Sequence, residues 1–220
     1  EKEVLYIQQQ NGNLFSEFDC LLSDIDLSNI QFFSQNAFHT DIDAANIWIG
    51  TENSVSSAHK DHYENLYVQD CGTKIFYLLP PSAVTQLDIQ MYKRARFEKQ
   101  YDSWNIVPNE ENSLVPWISM DLRKEYELVR SGTTPNSSIR PIKVELNPGD
   151  LLYLPSLWYH QVEQANDSNG RVVAVNFWYD MVYDQNYYYY QVGFLSFIFH
   201  ILTWTCSFSR IWYQIGKRKL

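Results

Sequence analysis

Short apolar or alternating segments, each closed by a turn signal, recur along this chain and leave room for few folds. "VLYIQQQ" (4–10) reads as a short strand, and "AANIWIGT" (44–51) as another, with Ile47 and Ile49 flanking Trp48 and Gly50 near its end. "AHKDHYENLYVQ" then leads through "DCGT" into "KIFYLLPP". This is a hairpin whose Gly marks the turn and whose Pro80-Pro81 stops the second strand. Further on, "PIKVELNPGDLLYLPSLWYHQVEQ" turns at "NPGD" between strands carrying Val144, Leu146, Leu151 and Leu152. "NDSNG" makes the next turn, into the buried strand "RVVAVNFWYD". Strands this short and numerous close into a small barrel or stack as a double-sheet jelly roll.

Three stretches stand outside that pattern. Residues 14–38 mix helix and loop signals. Residues 82–141, with Pro108, Pro116, Gly132, Pro135 and Pro141, read as a polar, irregular insertion over a β core, with a short helix at "SAVTQL". From Tyr187 to Ser209 the chain has no Asp, Glu, Lys or Arg, and a basic "KRK" follows. A buried dimer helix, an atypical segment from an incorrect gene model and a membrane anchor all suit this tail. Its strongest apolar run, Val192–Trp204, is short for a span, which disfavours the anchor.

Composition narrows the partners. A formal net charge of −9, without a basic run before the last residues, disfavours nucleic acid and favours a basic partner such as a lysine-bearing polypeptide. Sixteen Tyr, twelve Phe and seven Trp suit pleated faces and pocket walls. Cys20, Cys71 and Cys206 are odd in number and far apart, which speaks against a disulfide scaffold or zinc ribbon and for a reducing compartment, cytoplasm or nucleus. The chain begins at Glu1 without Met and reads as a fragment whose start lies upstream.

The densest chemistry lies in "SSAHKDHYENLY" (56–67). Residues two apart share a strand face, so a single strand here puts His59, Asp61, Tyr63, Asn65 and Tyr67 on one side. Lys60, His62, Glu64 and Leu66 then face the other way. His59 with Asp61 is two thirds of a facial triad, the two-histidine, one-carboxylate set that holds Fe(II) with positions left open. His160, ending "GDLLYLPSLWYH", is the third ligand best placed by context. H-x-D alone recurs by chance, and the plain alternative is a strand histidine hydrogen-bonded to Asp61. Asn65 and Tyr67 on the same face, and a cationic Lys74 just past the turn, favour a site that also takes a carboxylate cosubstrate. Mixed His and carboxylate ligands also accept Mn or Zn.

Together, H-x-D, a lysine thirteen positions after the aspartate, and a distant histidine after "GDLLYLP" resemble the Jumonji C (JmjC) domain. "HKDHYENLY", "GDLLYLPSLWYHQV" and "VNFWYD" resemble in particular its small lysyl (3S)-hydroxylase branch. The resemblance implies a mainly β, double-stranded β-helix (a jelly-roll, cupin-like core) with flanking helices and an insertion between core strands. The catalytic domain would span residues 1–186, with residues 187–220 an apolar tail where the family has a dimer-forming helix. His59, Asp61 and His160 would bind Fe(II). Lys74 and Ser56 would hold the distal carboxylate of 2-oxoglutarate, with Asn65, Tyr67, Asn176 and Tyr6 as further cosubstrate or iron-shell contacts. Oxygen would be the co-reactant, and succinate and CO2 the by-products. The implied substrate is C3 of a lysine in a developmentally regulated, translation-associated GTP-binding protein. Histone N-methyl-lysine demethylation and a non-enzymatic binding module are the competing readings.

Overall fold

The computed structural model describes residues 4–8, 12–101, 103–108, 114–133, 139–183 and 187. The apolar tail expectation therefore falls outside the described residues. The chain divides into two units, Glu1–Asp180 and Met181–Leu220, and the architecture below is that of the first.

A 3-10 turn over Asp19–Asp24 leads to helix α1 (Leu27–Ala37), whose first turn is capped by Asp26 accepting from the Ser28 amide at 2.9 Å. Strands β1 (Ala44–Gly50), β2 (Ser56–Lys60), β3 (Tyr63–Cys71) and β4 (Thr73–Leu79) follow. After a 3-10 turn at Pro81–Gln86 come β5 (Ile89–Lys93), β6 (Ala95–Gln100), β7 (Ser103–Pro108) and β8 (Leu114–Ile118). Helix α2 (Leu122–Arg130), capped by Asp121, precedes β9 (Ile142–Leu146), β10 (Leu151–Leu154), β11 (Tyr159–Ala165) and β12 (Val172–Asp180).

Two four-stranded antiparallel sheets form the core, in the orders β1-β12-β3-β10 and β2-β11-β4-β9. Between them pack Trp48, Tyr67, Leu154 and Ala174 from the first sheet with Phe76, Leu78, Leu146 and Val162 from the second. This is the jelly roll that the turn-punctuated strands require. The outer face of the first sheet (Ala45, Ile47, Leu66, Val175, Phe177) lies under Leu14, Leu27 and Ile30. Ala83, Ile118, Leu122 and Ile139 cover the outer face of the second, at Ala58, Tyr77 and Tyr159. Cover on both sides explains why β1 and β12 are buried at nearly every position rather than at alternate ones.

Three expectations need correction. The segment 56–67 is not one strand: β2 belongs to the second sheet and β3 to the first, and the chain crosses between them at Asp61-His62. Of the segment read as a strand over 4–10, the described residues 4–8 contribute a single bridge, Ile7 to Ile49, because one pair of main-chain bonds ties them to the edge of β1. The insertion is more regular than its polarity suggests. It pairs β5 with β8 and β6 with β7 as two-stranded ribbons, and only the "SAVTQL" turn matches expectation.

Candidate metal centre

The cross-over at Asp61 builds the site. His59 on β2 pairs directly with His160 on β11, and their ring centroids lie 4.3 Å apart. Past the end of β2, the Asp61 main-chain carbonyl accepts from the Leu157 amide at 2.9 Å, which turns its carboxylate back toward both rings. Asp61 Oδ2 sits 3.9 Å from His59 Nε2 and 3.6 Å from His160 Nε2. Those separations are too long for hydrogen bonds. All three candidate ligand atoms lie within 4.8 Å of one another, as ligands sharing one ion must.

Tautomers favour the same arrangement. His59 Nδ1 faces the Ser57 carbonyl at 2.7 Å and His160 Nδ1 faces the Trp158 carbonyl at 3.1 Å. A carbonyl only accepts, so each Nδ1 carries a proton, and Nε2 is the atom that holds the lone pair in the neutral ring. Burial pulls the His160 pKa down to about 3, with a smaller contribution from the neighbouring His59, so this imidazole is neutral and ready to ligate. Burial also raises the Asp61 carboxyl, against the opposing pull of His59 and His62. A carboxylate that is costly to ionise beside two imidazole Nε2 atoms is a donor set that a divalent cation satisfies, and its composition fits Fe(II). His62 is exposed and outside the cluster.

The cavity beside the triad is lined by Tyr6, Ser56, Asn65, Tyr67, Asn176 and Trp178, with Trp48, Phe76 and Val162 as apolar wall. Trp48 Nε1 donates to Asn176 Oδ1 at 2.8 Å, and Asn176 Nδ2 donates to Asn65 Oδ1 at 2.9 Å, so three buried side chains fix one another. Tyr67 packs edge-on against Phe76 and is buried, which raises its phenol pKa. Lys74 is 1% exposed and does not line the cavity directly. It donates to the Tyr6 hydroxyl at 3.1 Å, and Tyr6 also hydrogen-bonds Ser56. No carboxylate pairs with Lys74 among the described residues, and burial pulls its pKa from 10.5 to about 7. An ammonium buried under hydroxyl groups fits the carboxylate of an organic acid. Tyr6 reaches this position because Gly50 makes room: a Cβ there would lie 2.8 Å from the Tyr6 ring.

The structure thus gathers all nine expected site residues around one cavity, Lys74 through Tyr6. It adds others the sequence reading missed. Glu64 accepts from Tyr153 Oη (2.7 Å), Ser156 N (3.2 Å) and Ser156 Oγ (2.8 Å), tethering the loop that grips Asp61. Trp117, from the insertion, stacks 6.2 Å from His59 and donates to Ser57 Oγ at 3.1 Å. Trp48 and Trp178 were legible only as core aromatics.

Residues 1–185 match the family model described as Cupin-like domain. The chain is 37% identical over 200 residues to a protein of Arabidopsis thaliana named Lysine-specific demethylase JMJ32, covering 86% of this chain and 56% of that protein. It is 38% identical over 190 residues to the Homo sapiens protein named Bifunctional peptidase and (3S)-lysyl hydroxylase JMJD7, covering 86% of this chain and 57% of that protein. A third relative, JmjC domain-containing protein E of Dictyostelium discoideum, is 39% identical over 202 residues, covering 86% of this chain and 57% of that protein. The chain therefore spans little more than half the length of these relatives.

Proposed function

The chain belongs to the cupin-like JmjC domain family, whose enzymes are iron- and 2-oxoglutarate-dependent oxygenases, and on that premise we propose that it hydroxylates a lysine in another polypeptide. The observation that carries this reading is the convergence of His59, Asp61 and His160 beside the buried Lys74. Bound at the triad, Fe(II) with 2-oxoglutarate and O2 would supply the oxidising chemistry that turns a C–H bond into C–OH, one oxygen atom going to the product and the other to succinate, with release of CO2.

The protein's own contribution is placement. His59 and His160 present Nε2 because main-chain carbonyls hold their Nδ1 protons, and Asp61 adds the anionic donor. Lys74, Tyr6 and Ser56 form the hydroxyl-and-amine end that would receive the distal carboxylate, and an anion there lets Lys74 keep its proton. Asn65 and Asn176 hold the polar wall, while Trp48, Phe76 and Val162 keep water away from the reacting centre.

Similarity to the human protein named a (3S)-lysyl hydroxylase supports C3 of lysine as the target. That its bearer is a translation-associated GTP-binding protein in the cytosol or nucleus is proposed on the motif resemblance of the sequence alone. Incubation with Fe(II), 2-oxoglutarate and a lysine-containing peptide from such a GTPase should add one oxygen at C3. Succinate accumulating beside unmodified peptide would remove the substrate assignment. The similarity to a relative named a demethylase keeps a second reading open. Formaldehyde released from an N-methyl-lysine peptide, without C3 oxidation, would establish it instead.

A further inference from the structure

Along the inner face of the first sheet, the cavity wall continues one rung past the metal site. Asn176 pairs with Tyr67, Trp178 with Asn65 and Asp180 with Tyr63 in the β12–β3 register, and alternate residues of each strand share a face. The last rung thus brings Tyr63 and Asp180 beside Trp178, which lines the cavity. Tyr63 and Trp178 stack with ring planes 3° apart and centroids at 4.8 Å. The Tyr63 phenol hydrogen-bonds Asp43, and Asp180 and Asp61 also bear on it electrostatically. Asp43 and Asp180 are exposed, and among the described residues neither has a Lys or Arg partner. Trp178 is 4% exposed, and its Nε1–H is buried with no acceptor among the described residues.

These features ask for two different things. An indole N–H is a donor only and needs an acceptor. Exposed carboxylates without a basic partner beside an aromatic stack attract a cation, and an ammonium cannot serve the N–H because it has no lone pair. A basic residue within a polypeptide chain offers both, a main-chain carbonyl and a terminal cation.

We propose that Tyr63, Trp178, Asp43 and Asp180 form the subsite that positions the substrate residue, with Trp178 Nε1 donating to a main-chain carbonyl and the carboxylates taking the side-chain cation. This deepens the hydroxylase reading and rests on it for the identity of the substrate. A main-chain contact made in the cavity wall brings the carbon next to the main chain toward the triad, and leaves the ammonium at the acidic rim. That geometry suits oxidation at C3 rather than at a methylated terminal nitrogen.

The test uses two fluorescein-labelled peptides, identical except for lysine or its neutral isostere norleucine at the centre, and reads binding by anisotropy. The full chain should bind the lysine peptide about tenfold more tightly. Asp43→Asn with Asp180→Asn should bring that ratio close to one, whereas Asp24→Asn with Asp70→Asn, the same charge change elsewhere, should preserve it. Trp178→Phe, which keeps a ring and loses the N–H, should weaken both peptides equally. A wild-type ratio near one, or a ratio untouched by the Asp43/Asp180 pair, overturns the subsite. Selective binding without any consumption of 2-oxoglutarate would instead refute the oxygenase reading and leave the subsite standing.

Discussion

Lys74 stands out among the residues because the fold holds it where an amine is least comfortable. It is 1% exposed, its hydrogen-bond partner is a phenol, and burial lowers its pKa from 10.5 to about 7. The unfolded amine keeps its proton up to about pH 10.5, whereas the folded one releases it near 7. Between those values the unfolded state binds more protons, so stability rises with pH across that window and the penalty is full below it. Lys74→Met should therefore stabilise the metal-free protein at pH 6, by on the order of 1–3 kcal/mol after the Tyr6 bond is lost. Its advantage should fade toward pH 10, and 2-oxoglutarate should no longer raise its melting temperature. A variant that melts lower than wild type at pH 6 would show that the amine is not penalised by burial. Asp61 follows the same logic with opposite charge. Its carboxyl is raised by burial, so ionisation at neutral pH weighs against the fold until a cation arrives. Asp61→Asn should keep or raise the melting temperature of the metal-free protein at pH 7, and Mn(II), which stabilises wild type, should leave it unmoved.

At the scale of elements, the site depends on two consecutive strands that lie in different sheets and on a loop that holds them together. The loop between β10 and β11 places Leu157 at a φ of 66°, a conformation a leucine adopts only when its surroundings impose it. Glu64 imposes it by accepting from both the amide and the hydroxyl of Ser156, and the Leu157 amide then grips Asp61. Glu64→Gln should weaken Mn(II) binding, followed by electron paramagnetic resonance, about tenfold while the circular dichroism of the β core stays unchanged. Unaltered affinity would mean that Asp61 is placed without this loop. The alternation of "HKDHYENLY" put His59, Asp61, Asn65 and Tyr67 together, and in the structure they do share a cavity. The reason is different, however. A strand that passes from one sheet to the facing one keeps alternate residues pointing inward, so its pattern cannot be told from that of a single straight strand. Glu64 was read as facing away from the site, and it does; its role works through a loop whose Ser156 lies 92 residues downstream, a distance at which local periodicity carries no signal.

The whole molecule separates a covered double sheet, which carries the site, from ribbons that stand outside it. Turn residues and apolar runs made the double sheet legible, since burial on both faces writes itself as apolar runs broken in their interiors only by Asn46 in β1 and Asn176 in β12. The ribbons wrote no such record. β6 and β7 are exposed along most of their length, including Phe97 at 70% and Ile106 at 68%, and pair with each other rather than with the core. Their order comes from main-chain pairing and cross-strand contacts, such as the Lys99 ammonium over the Trp104 ring, which leave no hydrophobic period to read. Because the β6–β7 ribbon buries so little, it adds little to the stability of the double sheet. Replacing residues 95–108 with a short Gly/Ser link should shift the melting temperature by no more than about 2 °C and leave Mn(II) binding at the triad intact. The β5–β8 ribbon should behave otherwise, because Ile118 is buried beneath the second sheet and Trp117 stacks on His59. Trp117→Ala should therefore disturb metal binding where loss of the neighbouring ribbon does not, and equal effects from the two changes would mean that the insertion acts as one unit.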